Sequence, residues 1–473
     1  MPYLLVQDIR LGVDRTRPIY SSPAGTAWSA INCHVSRGGD LEKRKAFIAK
    51  YALPSSTFGL KSTATALYTF GSGTTPAGMP TGVTYQRLEH PSAVDMSALL
   101  WAELFNGLIY AIAEYTDDSV HHFYNGTRIT DWDGGAGNPT VKGRVARTLQ
   151  RKVYSAGGYQ LSFSGLDTAT GWTDGTDTGA GQINLSNHLS GSEDIVALTV
   201  YQAKIAALSR NAIQIWLMFS NPTNNAQDQV LEGIGTRAAK SVLAYHEHDV
   251  FFLADSGVRS LRTHEQIDQA GVDDLGTPID PLVTEWVESL TDAEIEAAVS
   301  VVEPKDSRFW MAIAGRIFVF SYFPAKKISA WTWYEPGFTV EDFAVLTGRV
   351  YARSGNTIYL YGGDDNDEYD ASQVTVQLPF MTAGKPGHFK GWTGADVAAT
   401  GTWEMDLLVD PNDTAVKEYI GEFDGVTFGG EEAGHWSHHT HVAPLLTNND
   451  IGYASLSNLA LYYQGADSPG GTE

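Results

Sequence analysis

Four histidines fall within HWSHHTH, the run from His435 to His441. Side chains alternate along a strand, so His439 and His441 share a face that His435 can join. Imidazoles so spaced are able to hold a divalent metal. The plainer reading of the same run is a polar, half-exposed β hairpin. A second concentration of donor atoms is DDNDEYD, Asp364 to Asp370. It has the oxygen density of a calcium loop but lacks the glycine and closing glutamate of EF-hand spacing, and reads first as a solvated acidic linker. The third cluster is basic. SRGGDLEKRKAF, Ser36 to Phe47, sets Lys43, Arg44 and Lys45 side by side.

A nucleic-acid site spreads its cations over a face and interleaves aromatics. Here one triplet stands beside Asp40 and Glu42 in a chain of 55 acidic and 32 basic residues, net charge -23. Such a surface repels phosphate backbones. The triplet therefore fits a charged contact with a partner protein or a neighbouring subunit, and Arg37, Lys43, Arg44 and Lys45 are the candidate interface residues. Plain solvated surface is the bland alternative, and nucleic-acid binding the disfavoured one.

No catalytic residues emerge. The chain has no Gly-rich phosphate loop, no nucleophile elbow and no HExxH zinc motif. SGLDTATGWT, from Ser164, is faintly similar to the Asp box of sialidase propellers, but it occurs once and with imperfect spacing. A glycosidase also needs two carboxylates flanking a sugar cleft. With 55 acidic residues such a pair could lie anywhere in the chain, so the residues alone leave catalysis open. Cys33 is the only cysteine, so neither an intrachain disulfide nor a cysteine metal site is available. MPYLLVQDIRLGVDRTR lacks the apolar core of a signal peptide, and no run of apolar residues is long enough to span a bilayer. We expect a soluble chain made in the cytoplasm, with no membrane insertion.

The elements that position these residues are strands. The 473 residues include 48 Gly, 22 Tyr and 12 Trp, and 18% are charged, the balance of a turn-rich β protein. Short apolar strands alternate with Gly, Asn or Asp turns in six units, beginning near Trp101, Arg147, Ala197, Val242, Val302 and Asp342. Repeats of roughly 40–60 residues suggest blades that stack around an axis. A pair of ordinary β-sandwiches is the competing arrangement. DPLVTEWVESLTDAEIEAAV interrupts the rhythm: Asp280 before Pro281 is a helix start, and Thr291 with Glu294 is a capping box for a second short helix. After Gly363 the composition turns acidic, then strand-like again. The expected fold is all-β: an irregular six-bladed β-propeller over 56–372 with helices near 281–299, an N-terminal arm and docking segment over 1–55, and a sandwich-like β platform domain over 373–473 with a disordered tail.

Residues Asp8 to Phe47 carry a resemblance. Gly12 to Arg15 (a Gly-Val-Asp-Arg opening), the turn at Pro23-Ala24-Gly25, Asn32 with His34, and Arg37 to Arg44 resemble the start of tail nozzle proteins of short-tailed bacteriophages, also called tail tubular protein B or packaged-DNA stabilisation proteins. The helical insert at Asp280–Val299 resembles their helix pair between blades. VYARSGNTIYLYGG followed by LPFMTAGKPGHFKGWTG resembles their passage from last blade to platform. The resemblance implies a non-enzymatic virion structural protein without cofactors: a homohexameric tube below the portal and adaptor ring, carrying tail spike, fibre or needle proteins. Such a tube retains packaged DNA and conducts it during ejection. Genomic DNA passes the lumen without specific binding, since six copies carry roughly six times -23 and an acidic wall offers few phosphate contacts. The alternative is a β-propeller glycan-binding or glycan-cleaving protein of the phage surface; a cellular propeller scaffold is a third reading.

Overall fold

The computed structural model describes residues 2–7, 9–175, 178–188, 193–245, 249–264, 269–384, 386–424 and 433–465. Seven strand groups follow one another along the chain, the first of three strands and the others of four, the sixth being part of a nine-stranded sheet. The first strand of each, beginning with Phe58–Ser62 and ending with Asp342–Leu346, lies against the first strand of the next, and the seventh returns to the first. The ring closes, and the molecule is a β-propeller. Its blades number seven where six were expected. The additional blade comprises Phe58–Ser62, Leu67–Gly71 and Val83–Arg87. Its last two strands run parallel, so no tight hairpin joins them.

The other blades are built from the hairpins legible in the chain. At Asn106-Gly107 both residues take positive φ, 49° and 77°, the turn geometry that matches the twist of Met96–Phe105 onto Leu108–Tyr115. The seventh blade lacks an outer strand of its own. Phe47–Ala52 supplies it, pairing antiparallel with Thr357–Tyr361. Phe47 is buried against Trp310, Phe338 and Tyr361, ring to ring.

A β-sandwich stands beside the ring. One of its sheets contains Cys33–Val35, Leu41–Lys43, Ser455–Gly465, Lys390–Thr400 and Ala433–His439, with Tyr3–Val6 also pairing Ser455–Gly465. The other continues the sixth blade. Its strand Ile328–Tyr334 pairs in parallel with Ser29–Ile31, which leads on to Val374–Gln377, Ala443–Asn448, Thr402–Leu408 and Lys417–Asp424. Residues 1–55, expected as a separate arm, are thus woven into both bodies: strands up to Lys43 belong to the sandwich, and the strand from Phe47 closes the propeller. One apolar core runs from Phe251, Phe309 and Trp331 of the blades to Trp392, Trp403 and Leu459 of the sandwich.

The two helices, Asp280–Glu288 and Asp292–Glu296, sit between the fifth and sixth blades. Both halves of the Thr291–Glu294 capping box form. Asp280 departs from its expected role as a cap. It is the first helical residue, and its carboxylate accepts from the Val258 N–H at 3.1 Å and the Arg259 guanidinium at 2.5 Å, tying the helix to the fifth blade. No helix among the described residues is long and apolar enough to cross a membrane.

Candidate functional site

The chain crosses between sandwich and propeller twice, at residues 43–47 and again at 361–374. The crossings run side by side, and their charges are opposite. Lys43 donates to the Asp450 carbonyl at 2.5 Å, and its own N–H to the Ala454 carbonyl at 2.9 Å. Arg44 donates from Nε to Asn32 Oδ1 and from its terminal nitrogen to Asp370 Oδ2, each at 3.0 Å. Lys45 reaches the Asn366 carbonyl, while its N–H donates to the Tyr361 hydroxyl. Lys50 meets Asp364 at 2.6 Å. Backbone bonds from Ala46 to the Glu368 carbonyl and from Gly362 to the Ala46 carbonyl close the strap.

This corrects the reading of the triplet. Lys43 and Arg44 are 1% and 2% exposed, so their charges are directed into the chain and away from any partner. The acidic run, expected to be a solvated linker, is their counterpart. Burial alone would raise the Asp370 carboxyl, but Arg44 and the Ser372 N–H outweigh it and hold the group below its ordinary value. Burial lowers the Lys43 and Lys45 ammoniums. Of the four proposed interface residues only Arg37 stands exposed; it meets Asp306 at 3.0 Å and lies over the Phe323 ring.

Beneath the crossings is a polar cavity of about 200 Å³ between His34, Glu42, Lys45, Glu303, Arg308 and Tyr453. The Tyr334 hydroxyl lies 2.8 Å from His34 Nδ1, and His34 Nε2 faces Glu42 at 3.6 Å. Burial, then the nearby Arg308, pushes the imidazole down to about 4. It is neutral at neutral pH, so Tyr334 donates to Nδ1 and the ring proton points at Glu42. Burial pushes Glu42 up, yet His34 and the Tyr453 hydroxyl bring it below its usual value. The carboxylates and cations of this cavity are engaged with one another in a structural network, and Cys33 close by is fully buried with its thiol pushed up by burial.

The opening motif of the chain is explained by the same junction. Gly12 bridges Trp331 of the sixth blade at φ +68°, where a Cβ would lie 2.7 Å from the Trp331 carbonyl. Val13 donates to that carbonyl at 2.8 Å, and Arg15 lies 3.9 Å over the Trp28 ring while donating to the Trp28 carbonyl.

The histidine run divides. Ala433–His439 is a strand, as expected, but it ends at His439. His439 Nε2 meets Glu418 at 3.0 Å, whereas His441 bonds Thr440 through Nδ1 and packs edge-on to Phe380. The side chain of His435 lies outside the described residues. Among the described residues no three His, Cys, Asp or Glu side chains converge as a metal site.

A feature with no local signature in the sequence is the distribution of exposed apolar groups. Of twelve large apolar side chains standing exposed among the described residues, eight belong to the sandwich and the N-terminal segment: Tyr3, Leu11, Tyr20, Phe389, Val416, Tyr419, Ile451 and Tyr453. The larger propeller carries only four. Both chain ends contribute, so the concentration emerges only on folding.

No protein-family model and no curated protein matches the chain. Among solved structures it is similar to the Pan2 WD40 domain of Neurospora crassa, with 11% identity, a TM-score of 0.40, and coverage of 69% of this chain and 97% of that one. It is also similar to the Cps50 (Swd1) β-propeller domain of Myceliophteria thermophila, with 8% identity, a TM-score of 0.37, and coverage of 70% and 100%. Raptor of Chaetomium thermophilum matches at 15% identity and a TM-score of 0.37 over 68% of this chain; the matched part is 28% of Raptor. These likenesses carry nothing about function. The propeller rests on the strand pairing described above.

Proposed function

We propose that the chain is a structural subunit of the tail nozzle of a short-tailed bacteriophage, assembling as a homohexameric tube that retains packaged DNA and conducts it outward. The observation that carries this reading is the gathering of exposed apolar side chains on the sandwich. Apolar side chains left in water favour burial against a neighbour, and the body that resembles a platform domain bears eight of the twelve with its N-terminal segment. The sandwich is then the assembly domain, and the propeller decorates the ring. The charge distribution supports the second half of the proposal. Lys43, Arg44, Lys45 and Lys50 are all engaged within the chain, which leaves few free cations near the junction of a chain whose net charge is -23. DNA passing such a surface gains few counterion-releasing contacts.

The test is deletion of the gene from the phage that encodes it, followed by electron microscopy and DNA quantification of the particles. Particles that fill, leak and carry truncated tails support the conduit. Particles with complete tails and full DNA that fail only to adsorb overturn it in favour of a glycan-recognising surface protein.

A further inference from the structure

The inner strands of the propeller line an axial cavity of about 160 Å³. Its polar lining comes from six places around the ring. Lys61 and Trp101 belong to the first two blades and Arg147 to the third. Lys240 precedes the fifth, and Ser300 and Asp342 begin the sixth and seventh. Two of the three cations are paired. Arg147 donates to Glu103 at 3.0 Å and to the Val242 carbonyl at 3.3 Å, stacking its guanidinium 4.6 Å over Trp101. Lys240 donates to Asp342 at 2.7 Å.

Three donors are left over. Lys61 makes no hydrogen bond or ion pair with any described residue. Burial lowers its ammonium; Glu103 and Asp342 favour its charge while Arg147 and Lys240 oppose it. Trp101 is 5% exposed, and its Nε1–H is buried without an acceptor. The Ser300 hydroxyl is buried and unpartnered as well. A buried donor left unmade costs about 1–3 kcal/mol, and native chains keep few of them. With Lys61 protonated, the five groups Lys61, Arg147 and Lys240 against Glu103 and Asp342 leave one positive charge over, and a bound anion would hold Lys61 in that form against the burial that lowers it. Water satisfies donors but not that charge.

We propose that the axial cavity binds one small oxyanion, a phosphate or a short carboxylate, whose oxygens accept hydrogen bonds from the Lys61 ammonium, the Trp101 indole N–H and the Ser300 hydroxyl. Arg147 and Lys240, already held by their own carboxylates, shape the site and add to its field. A cavity of this size excludes a polymer, so the site is separate from any nucleic-acid path.

The proposal is tested by calorimetric titration of the whole protein with inorganic phosphate and with succinate, at constant ionic strength set by chloride. Saturable one-to-one binding of either anion is expected, and which one binds assigns the class. Lys61→Met is expected to weaken that binding at least about tenfold, the range of a lost charge-assisted hydrogen bond. Trp101→Phe keeps the ring packing, deletes the N–H, and is expected to weaken it severalfold; this variant decides the matter should Lys61→Met fail to fold. Absence of saturable heat for both anions, or unchanged affinity in the variants, overturns the site and leaves a cavity that holds water only.

Discussion

Arg44 is a side chain whose role depends on a partner distant in sequence. It is buried, it bonds Asn32, and its carboxylate partner Asp370 lies 326 positions further on. Removing one member of a buried pair leaves the other uncompensated, at about 3–5 kcal/mol where both are buried. Asp370 is about a third exposed, so Arg44→Ala is expected to cost less, about 2–3 kcal/mol. A urea titration of the variant against the parent measures it. His34 governs a second expectation. Its folded value of about 4 lies below the ordinary 6.5, so in acid the unfolded chain takes up a proton that the folded chain refuses. Stability is therefore present above about pH 6.5 and falls as the pH drops toward 4. His121, also pushed down to about 4 by burial and then Lys142, and His122, held well below its ordinary value by burial, act with the same sign. Denaturant midpoints taken between pH 7 and 4 should fall steadily, and His34→Gln should flatten part of that slope; an unchanged slope in the variant would remove His34 from the account. None of this was legible from types and spacing. The triplet looked like a surface patch because its partners are more than three hundred residues away.

Elements were easier to read than their partners. Alternating apolar positions around Asn-Gly and Gly-containing turns identified six hairpin units, and all six are blades. The blade at Phe58–Arg87 escaped notice because its last strand pairs in parallel, and a parallel pair carries no hairpin signal between its strands. The closing strand Phe47–Ala52 was equally silent, since its neighbour Thr357–Tyr361 is separated from it by the whole ring. Its anchor is Phe47, packed among Trp310, Phe338 and Tyr361. Phe47→Ala is expected to cost about 3–5 kcal/mol, as buried Phe truncations do. The variant should also release the strand, so that limited proteolysis cuts near residue 50 before any other blade is attacked. Cleavage spread evenly over the blades would show that closure does not depend on this anchor. The Thr291–Glu294 capping box was readable because both its halves are local; the true role of Asp280 was not, because Arg259 belongs to another element.

At the scale of the whole molecule the proposed assembly depends on the sandwich face. Tyr419, on the outer strand Lys417–Asp424, and Ile451 are 58% and 73% exposed. Exposed positions contribute little to the stability of a single chain, within about 0.5 kcal/mol for most substitutions. The double variant Tyr419→Glu, Ile451→Glu should therefore melt like the parent while its mass by light scattering falls from oligomer to monomer. An oligomer unaffected by both charges would place the subunit contact elsewhere. The sequence disclosed a separate C-terminal β region but not that the first forty residues complete it, because strand partners such as Tyr3 and Tyr462 leave no mark on each other's neighbourhood.

That pairing has a consequence in time. A ribosome adds about 5–20 residues per second, so the strand Tyr3–Val6 waits tens of seconds for the partner that reaches it from residues 459–462. Phe47–Ala52 likewise waits for Thr357–Tyr361 before the ring can lock. Both bodies are finished only by late-made segments. A half-synthesised chain therefore has neither a completed sandwich nor a closed ring.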